Sequence, residues 1–142
     1  MKKSFILLCA VFCFFSFADI ALAYEKVEKH PIDIKLEQKI EQDSSTTGMV
    51  EAYQWACKEW DKLLNKNYNA LMKKLSKAEQ DKLLVSQLEW IKYRDLEFDF
   101  NSKYWSGFQG TMYRIAPAAF QSDFIRERAL RLGYYLEDLN DR

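Results

Sequence analysis

The twenty residues from Trp60 to Glu79, WDKLLNKNYNALMKKLSKAE, hold the end of one helix and the start of the next. Trp60, Leu63 or Leu64, Tyr68, Leu71 and Leu75 recur at steps of three and four, the period of one α-helical face. Ser76-Lys77-Ala78-Glu79 then forms an S-x-x-E capping box. In such a box the serine hydroxyl accepts from the backbone N–H three residues on, and the glutamate reaches back to the serine N–H. A cap of this kind contributes about 1 kcal/mol. Upstream, Met49, Tyr53 and Ala56 continue the apolar period, so the first of these helices runs from about Thr47 to Leu75. At 1.5 Å per residue it is roughly 40 Å long. Downstream, Leu84, Leu88, Ile91 and Phe98 give the apolar face of the second, which continues to about Tyr104. Two long helices with so tight a joint predict an antiparallel hairpin.

The flanks extend the same pattern. Ile32, Leu36 and Ile40 predict a short helix after Pro31, and Asp43-Ser44-Ser45-Thr46-Thr47-Gly48 is a polar break rich in N-cap residues. Trp105 to Gly110 interrupts the period, with Gly107 and Gly110 as punctuation. Thr111 can cap a short turn, and Pro117 suits the first turn of a last helix. Ile125, Ala129, Leu132, Leu136 and Leu139 form one face of that helix. With 4 glycines, 2 prolines and no sustained β-alternation, the fold class is all-α. The expected architecture is a small helical bundle built on the long hairpin, with a short N-terminal helix and a C-terminal helix.

The N-terminus reads as a secretory signal. Lys2 and Lys3 precede an apolar run from Phe5 to Phe17 broken only by Ser16, and Ala21-Leu22-Ala23 supplies the small-x-small cleavage pattern. A membrane-spanning helix needs roughly 20 apolar residues, and Asp19 cuts this run short. Cys9 follows Leu8 and Cys13 follows Phe12, which argues against lipid attachment. The expected division is a signal peptide over 1–23 and one helical domain over 24–142, with no transmembrane segment after cleavage and a periplasmic or secreted location.

Composition narrows the function. The chain has 21 basic and 21 acidic side chains; removing Lys2, Lys3 and Asp19 leaves 19 and 20, a net charge of about −1. A nucleic-acid binder would show a basic excess, so that class drops out. Loss of Cys9 and Cys13 with the signal leaves Cys57, which cannot form an internal disulfide. It reads as a small apolar core residue, or as a reactive or linking thiol. The single histidine, His30, has no fixed catalytic partner in sequence, and one His with one Cys is a poor metal set. Asp95, Glu97 and Asp99 alternate and so diverge on a helix. No phosphate-cradling glycine loop is present. Nothing here predicts an enzyme, a metal or a cofactor.

Two groups of residues stand out. Gln87, Trp90 and Arg94 share one helical face at i, i+3 and i+7, flanked by Tyr93 and Asp95. Trp60, Asp61, Leu64, Asn65 and Tyr68 make a similar mixed face on the preceding helix. A hairpin turning at Ser76 places residues whose numbers sum to about 151 opposite one another. This predicts a polar seam with Asp61 paired to Arg94, a contact that fixes register more often than it binds a ligand. The second group is the corner from Trp105 to Arg114, where Trp105, Phe108, Gln109, Met112, Tyr113 and Arg114 are candidate partner-binding residues. Trp, Tyr and Arg dominate interface energetics, and loops carry function. The same pattern also fits a corner whose aromatics plug the end of the bundle.

These motifs resemble the LprI-type lysozyme inhibitor family, in its N-terminal domain. The resemblance rests on His30-Pro31-Ile32-Asp33, Ser45-Thr46-Thr47-Gly48-Met49, Trp60-Asp61-x-x-Leu64-Asn65-x-x-Tyr68-x-x-Leu71, Ser86-Gln87-x-x-Trp90-Ile91-x-Tyr93-Arg94-Asp95 and Gly110-Thr111-Met112-Tyr113-Arg114. It implies inhibition of lysozyme by protein binding. It also implies a disulfide between the first and the long helix, but the corresponding positions here look like Lys39 and Ala52, so that staple is missing and the first helix is expected to be looser.

Two functions follow as expectations. One is a periplasmic protein that binds and inhibits lysozyme or a related wall hydrolase, with the Trp105–Arg114 corner in contact. Lysozymes carry catalytic carboxylates and are generally basic, so acidic groups at Asp95, Glu97, Asp99, Glu137, Asp138 and Asp141 would favour encounter. The alternative is an envelope assembly module that binds another secreted protein through an exposed helix face. N-terminal sequencing of exported protein should begin at Tyr24; a start before Ala21, or a lipid-blocked end, would contradict the signal assignment.

Overall fold

The computed structural model describes residues 29–141, so the expected signal segment and its cleavage point lie outside the described residues. Four helices follow in order: α1 Pro31–Gln42, α2 Thr46–Lys74, α3 Lys77–Trp105 and α4 Met112–Asn140. Among the described residues there is no strand. The fold is an all-α bundle, as the apolar periods predict.

Local sequence explains each boundary. His30 caps α1, its Nδ1 accepting from the Ile32 N–H at 3.2 Å, with Pro31 in the first turn, where its missing N–H costs nothing. Ser45 caps α2, its Oγ accepting from the Gly48 N–H at 3.0 Å. The capping box forms at Ser76, whose backbone N–H donates to Glu79 Oε2 at 2.8 Å. The joint between α2 and α3 is therefore Leu75-Ser76, as expected. Pro117 differs. It lies inside a continuous α4 rather than in its first turn, so the ladder loses the bond that position 117 would donate to the Tyr113 carbonyl.

Neighbours alternate in direction. The His30 ring packs tilted against Trp60 at 4.5 Å and Lys39 lies over Trp55 at 5.2 Å, so α1 runs antiparallel to α2. Arg128 donates to Gln87 at 3.0 Å and Phe98 meets Phe120, so α3 runs antiparallel to α4. Asn67 reaches Ala129 and Lys74 reaches Asn140, so α2 and α4 are parallel.

The core lies between α2 and α4. Ala56, Trp60, Leu64 and Leu71 meet Ile125, Ala129 and Leu132, all buried. Ala52, Ala56, Ser122 and Ala129 are small, and this lets the two helices approach closely enough for Trp60 to be enclosed entirely. Asn67, also buried, donates from Nδ2 to the Ala129 carbonyl at 3.0 Å. Gly133 makes room for it, because a Cβ there would stand 3.1 Å from the same nitrogen.

This arrangement corrects the reading of α3. It returns from the joint as the hairpin requires, yet α2 gives its inner face chiefly to α4, and α3 packs mainly on α4. The inner side of α3 is Leu83, Gln87, Trp90, Arg94 and Phe98. Leu84 and Leu88, expected inside, are 43% and 50% exposed. The reason is that α3 carries apolar residues on nearly every side, so periodicity could not select one.

Replacement of buried Leu132 by alanine should cost about 2–5 kcal/mol, whereas Leu88→Ala should stay within about 0.5 kcal/mol, as surface changes do. Urea unfolding of both variants, at dilutions where the chain is monomeric, checks this; comparable losses would restore Leu88 to the core.

Candidate functional site

The corner between α3 and α4 is built by short-range hydrogen bonds. The Ser106 N–H donates to the Ser102 carbonyl and its hydroxyl to the Lys103 carbonyl, while Gly107 and Phe108 donate to Tyr104 and Trp105. Gly110 then adopts φ 121°, a conformation that strains any residue with a Cβ, and the chain enters α4 at Met112. The turn folds the rings of both helix ends together. Trp105 stacks on Tyr113 at 5.6 Å and 29°, and Phe108 on Tyr113 at 5.0 Å and 26°. Tyr104 stands edge-on to Trp105 at 5.1 Å.

The six candidate residues thus divide into two sets. Trp105 and Tyr113 are half-buried and lock the corner, while Phe108, Gln109, Met112 and Arg114 face solvent. Phe108 is 44% and Met112 72% exposed. The corner plugs the end of the bundle and also projects apolar surface from a rigid base.

The nine residues of the expected seam fall into separate groups. Trp60 is sealed in the core against His30, with Arg126 over its ring at 5.5 Å. Asp61 accepts from Asn65 on its own helix at 3.1 Å. Tyr68 packs on the core. On α3, Gln87 is buried and accepts from Arg128 at 3.0 Å. Trp90 stacks on Phe124 and has two guanidinium groups near its ring, Arg94 at 5.5 Å and Arg128 at 5.8 Å. Tyr93 leans on Phe124 from the exposed side. The expected Asp61–Arg94 pair is not made: Arg94 binds its neighbour Asp95 at 2.6 Å. With α2 and α3 barely in contact, the adjacent carboxylate wins.

Charges near these groups have simple causes. Burial pushes the Cys57 thiol up, the Asp61 carboxylate adds to this, and Arg94 opposes it. Burial lowers Arg128 from the usual guanidinium value. A hydrogen bond from Arg126 to Asp33 raises Arg126.

Sequence reasoning missed the contact that seats α1. Arg126 grips Asp33 with two nitrogens at 3.0–3.1 Å. The partners are 93 positions apart, beyond the reach of any local pattern. This clamp, His30 on Trp60 and Lys39 on Trp55 hold α1 without a disulfide. A cleft of about 400 Å³ lies beside them, lined by Asp33, Glu37, Tyr53, Asp123 and Arg126 among others. Its Asp33 is already committed to Arg126. Among the described residues, no group of three or more His, Cys, Asp or Glu could hold a metal ion.

A family model described as lysozyme inhibitor LprI matches residues 37–132, which take in α2, α3 and most of α4. The chain belongs to the LprI lysozyme-inhibitor family. A crystal structure of an uncharacterized protein from Burkholderia thailandensis is similar at 27% identity and a TM-score of 0.75, over 80% of this chain and 57% of that one. The chain therefore spans a little over half the length of that protein. No curated protein matches. The LprI match covers the Trp60–Leu71 and Ser86–Asp95 motifs, most of whose residues build the core and the α3–α4 contact, so it speaks first for the shared fold.

Because burial raises the Cys57 thiol, little of it is thiolate at pH 8, and its alkylation by iodoacetamide should accelerate several-fold when the chain is unfolded in urea. Equal rates in the two states would show that the native thiol is open and unperturbed.

Proposed function

We propose that the protein is exported, loses residues 1–23, and acts in the periplasm or outside the cell as a binding protein that inhibits lysozyme or a related wall hydrolase. It works by occlusion and not as an enzyme. Membership of the LprI family supports protein binding of the lysozyme-inhibitor kind. In keeping with this, no helix among the described residues is long and apolar enough to cross a membrane.

The observation that carries the choice of surface is the exposure of Phe108 and Met112 on a base of interlocked rings. An inhibitor gains affinity when its contact surface is ordered before binding, since less entropy is lost on association. Here Trp105 and Tyr113 fix the corner, Phe108 rests on them and presents its exposed side, and Met112, Gln109 and Arg114 project beyond it to enter a cleft. Residues of this kind at the centre of an interface carry most of its energy. A second reading, an envelope assembly module, draws on the exposed apolar side of α3.

Calorimetry against lysozymes of several types, with a turbidity assay of wall lysis alongside, tests the proposal. Submicromolar binding with loss of lysis is expected, and Phe108→Ala or Met112→Ala should weaken it at least tenfold with helicity unchanged. Absence of binding to every type would defeat the inhibitor reading, while full binding by both variants would move the contact away from this corner.

A further inference from the structure

Most of the exposed large apolar side chains among the described residues belong to α3. At 100° per residue, Gln87, Arg94 and Phe98 mark the side that faces α4. Val85, Leu88, Leu96 and Phe100 lie on the other half of the helix. Leu96 is 71% exposed and Phe100 63%, and no element among the described residues covers them. A helix that is apolar on most of its circumference normally lies buried, and an exposed apolar strip marks an interaction surface.

The charges on the same side specify the occupant. Glu89, Lys92, Asp99 and Lys103 alternate in sign along it. In a parallel pairing of two such helices each charge would face its own copy, and like charges would repel. In an antiparallel pairing centred on Leu96, residue i stands across from residue 192 − i. Glu89 then meets Lys103, and Lys92 falls beside Asp99. The strip is complementary to itself when reversed, as a two-fold interface requires. In the single chain Glu89 pairs with Lys92 at 2.8 Å, but both side chains are about two-thirds exposed, and such a pair is weak enough to exchange partners readily.

We infer that two copies of this chain associate antiparallel through the outer side of α3, with Leu96 at the two-fold axis and Glu89–Lys103 pairs on either side. The strip adjoins the corner through Tyr104, which packs on Phe100 and on Trp105, but Leu96, Glu89 and Lys103 lie outside the corner, so substitutions there test the dimer separately from lysozyme binding.

Sedimentation equilibrium of the purified chain tests it. A monomer–dimer equilibrium is expected, with its Kd raised at least tenfold by Leu96→Glu. Because Leu96 is exposed, circular dichroism should be unchanged. Glu89→Lys alone should also weaken the dimer, and combining it with Lys103→Glu should restore it. A chain that stays monomeric up to about 1 mM, where even weak association registers, overturns the inference. So does a dimer indifferent to Leu96→Glu, or a double charge reversal that fails to rescue.

Discussion

The close parallel contact of α2 with α4 is the constraint on which the other elements depend. It forms because Ala52 and Ala56 on one helix and Ser122 and Ala129 on the other leave space for backbones to approach, and Trp60 fills what remains. Asn67 ties the pair by donating to the Ala129 carbonyl in the gap beside Gly133. An amide buried without a partner would be costly, so this bond also fixes the axial register of the two helices.

The other two helices take positions left open by that pair. α1 buries no residue fully and is held by polar and aromatic contacts: Asp33 with Arg126, His30 with Trp60, Lys39 with Trp55. α3, bound by Leu75-Ser76 at one end and by the aromatic corner at the other, lays Gln87, Trp90 and Phe98 on α4 and leaves its far side in water. A helix with so much uncovered apolar surface and so few inner partners is held mainly by its two ends and by the Trp90–Phe124–Arg128 stack.

Membership of the LprI family and the geometry of the corner meet at one physical requirement, a rigid projecting surface. Ring stacking within the corner fixes Tyr113 and Trp105, so the exposed Phe108 and Met112 stand on a base that need not order on binding. Under the proposed function, the balanced charge of the chain would leave shape and apolar contact, rather than long-range attraction, as the basis of recognition.

The sequence by itself determined the helices. Caps in the Asp43–Gly48 break and at Ser76 and the three- and four-residue apolar steps are local, and each acts within one or two turns. They placed the α2–α3 joint at Leu75-Ser76 and the buried side of α4 at Ile125, Ala129 and Leu132. The aromatic corner was equally legible, because glycine and aromatic residues crowd where the period fails. Only the tertiary structure decided which helices touch. α2 chose α4 because small residues match across a separation of more than sixty positions. The Asp33–Arg126 clamp spans a greater distance still, and Arg94 took Asp95 because α2 stands too far off to offer Asp61. On α3, apolar residues surround the axis, so the choice of inner side was made by the shape of α4 and not by the period of α3.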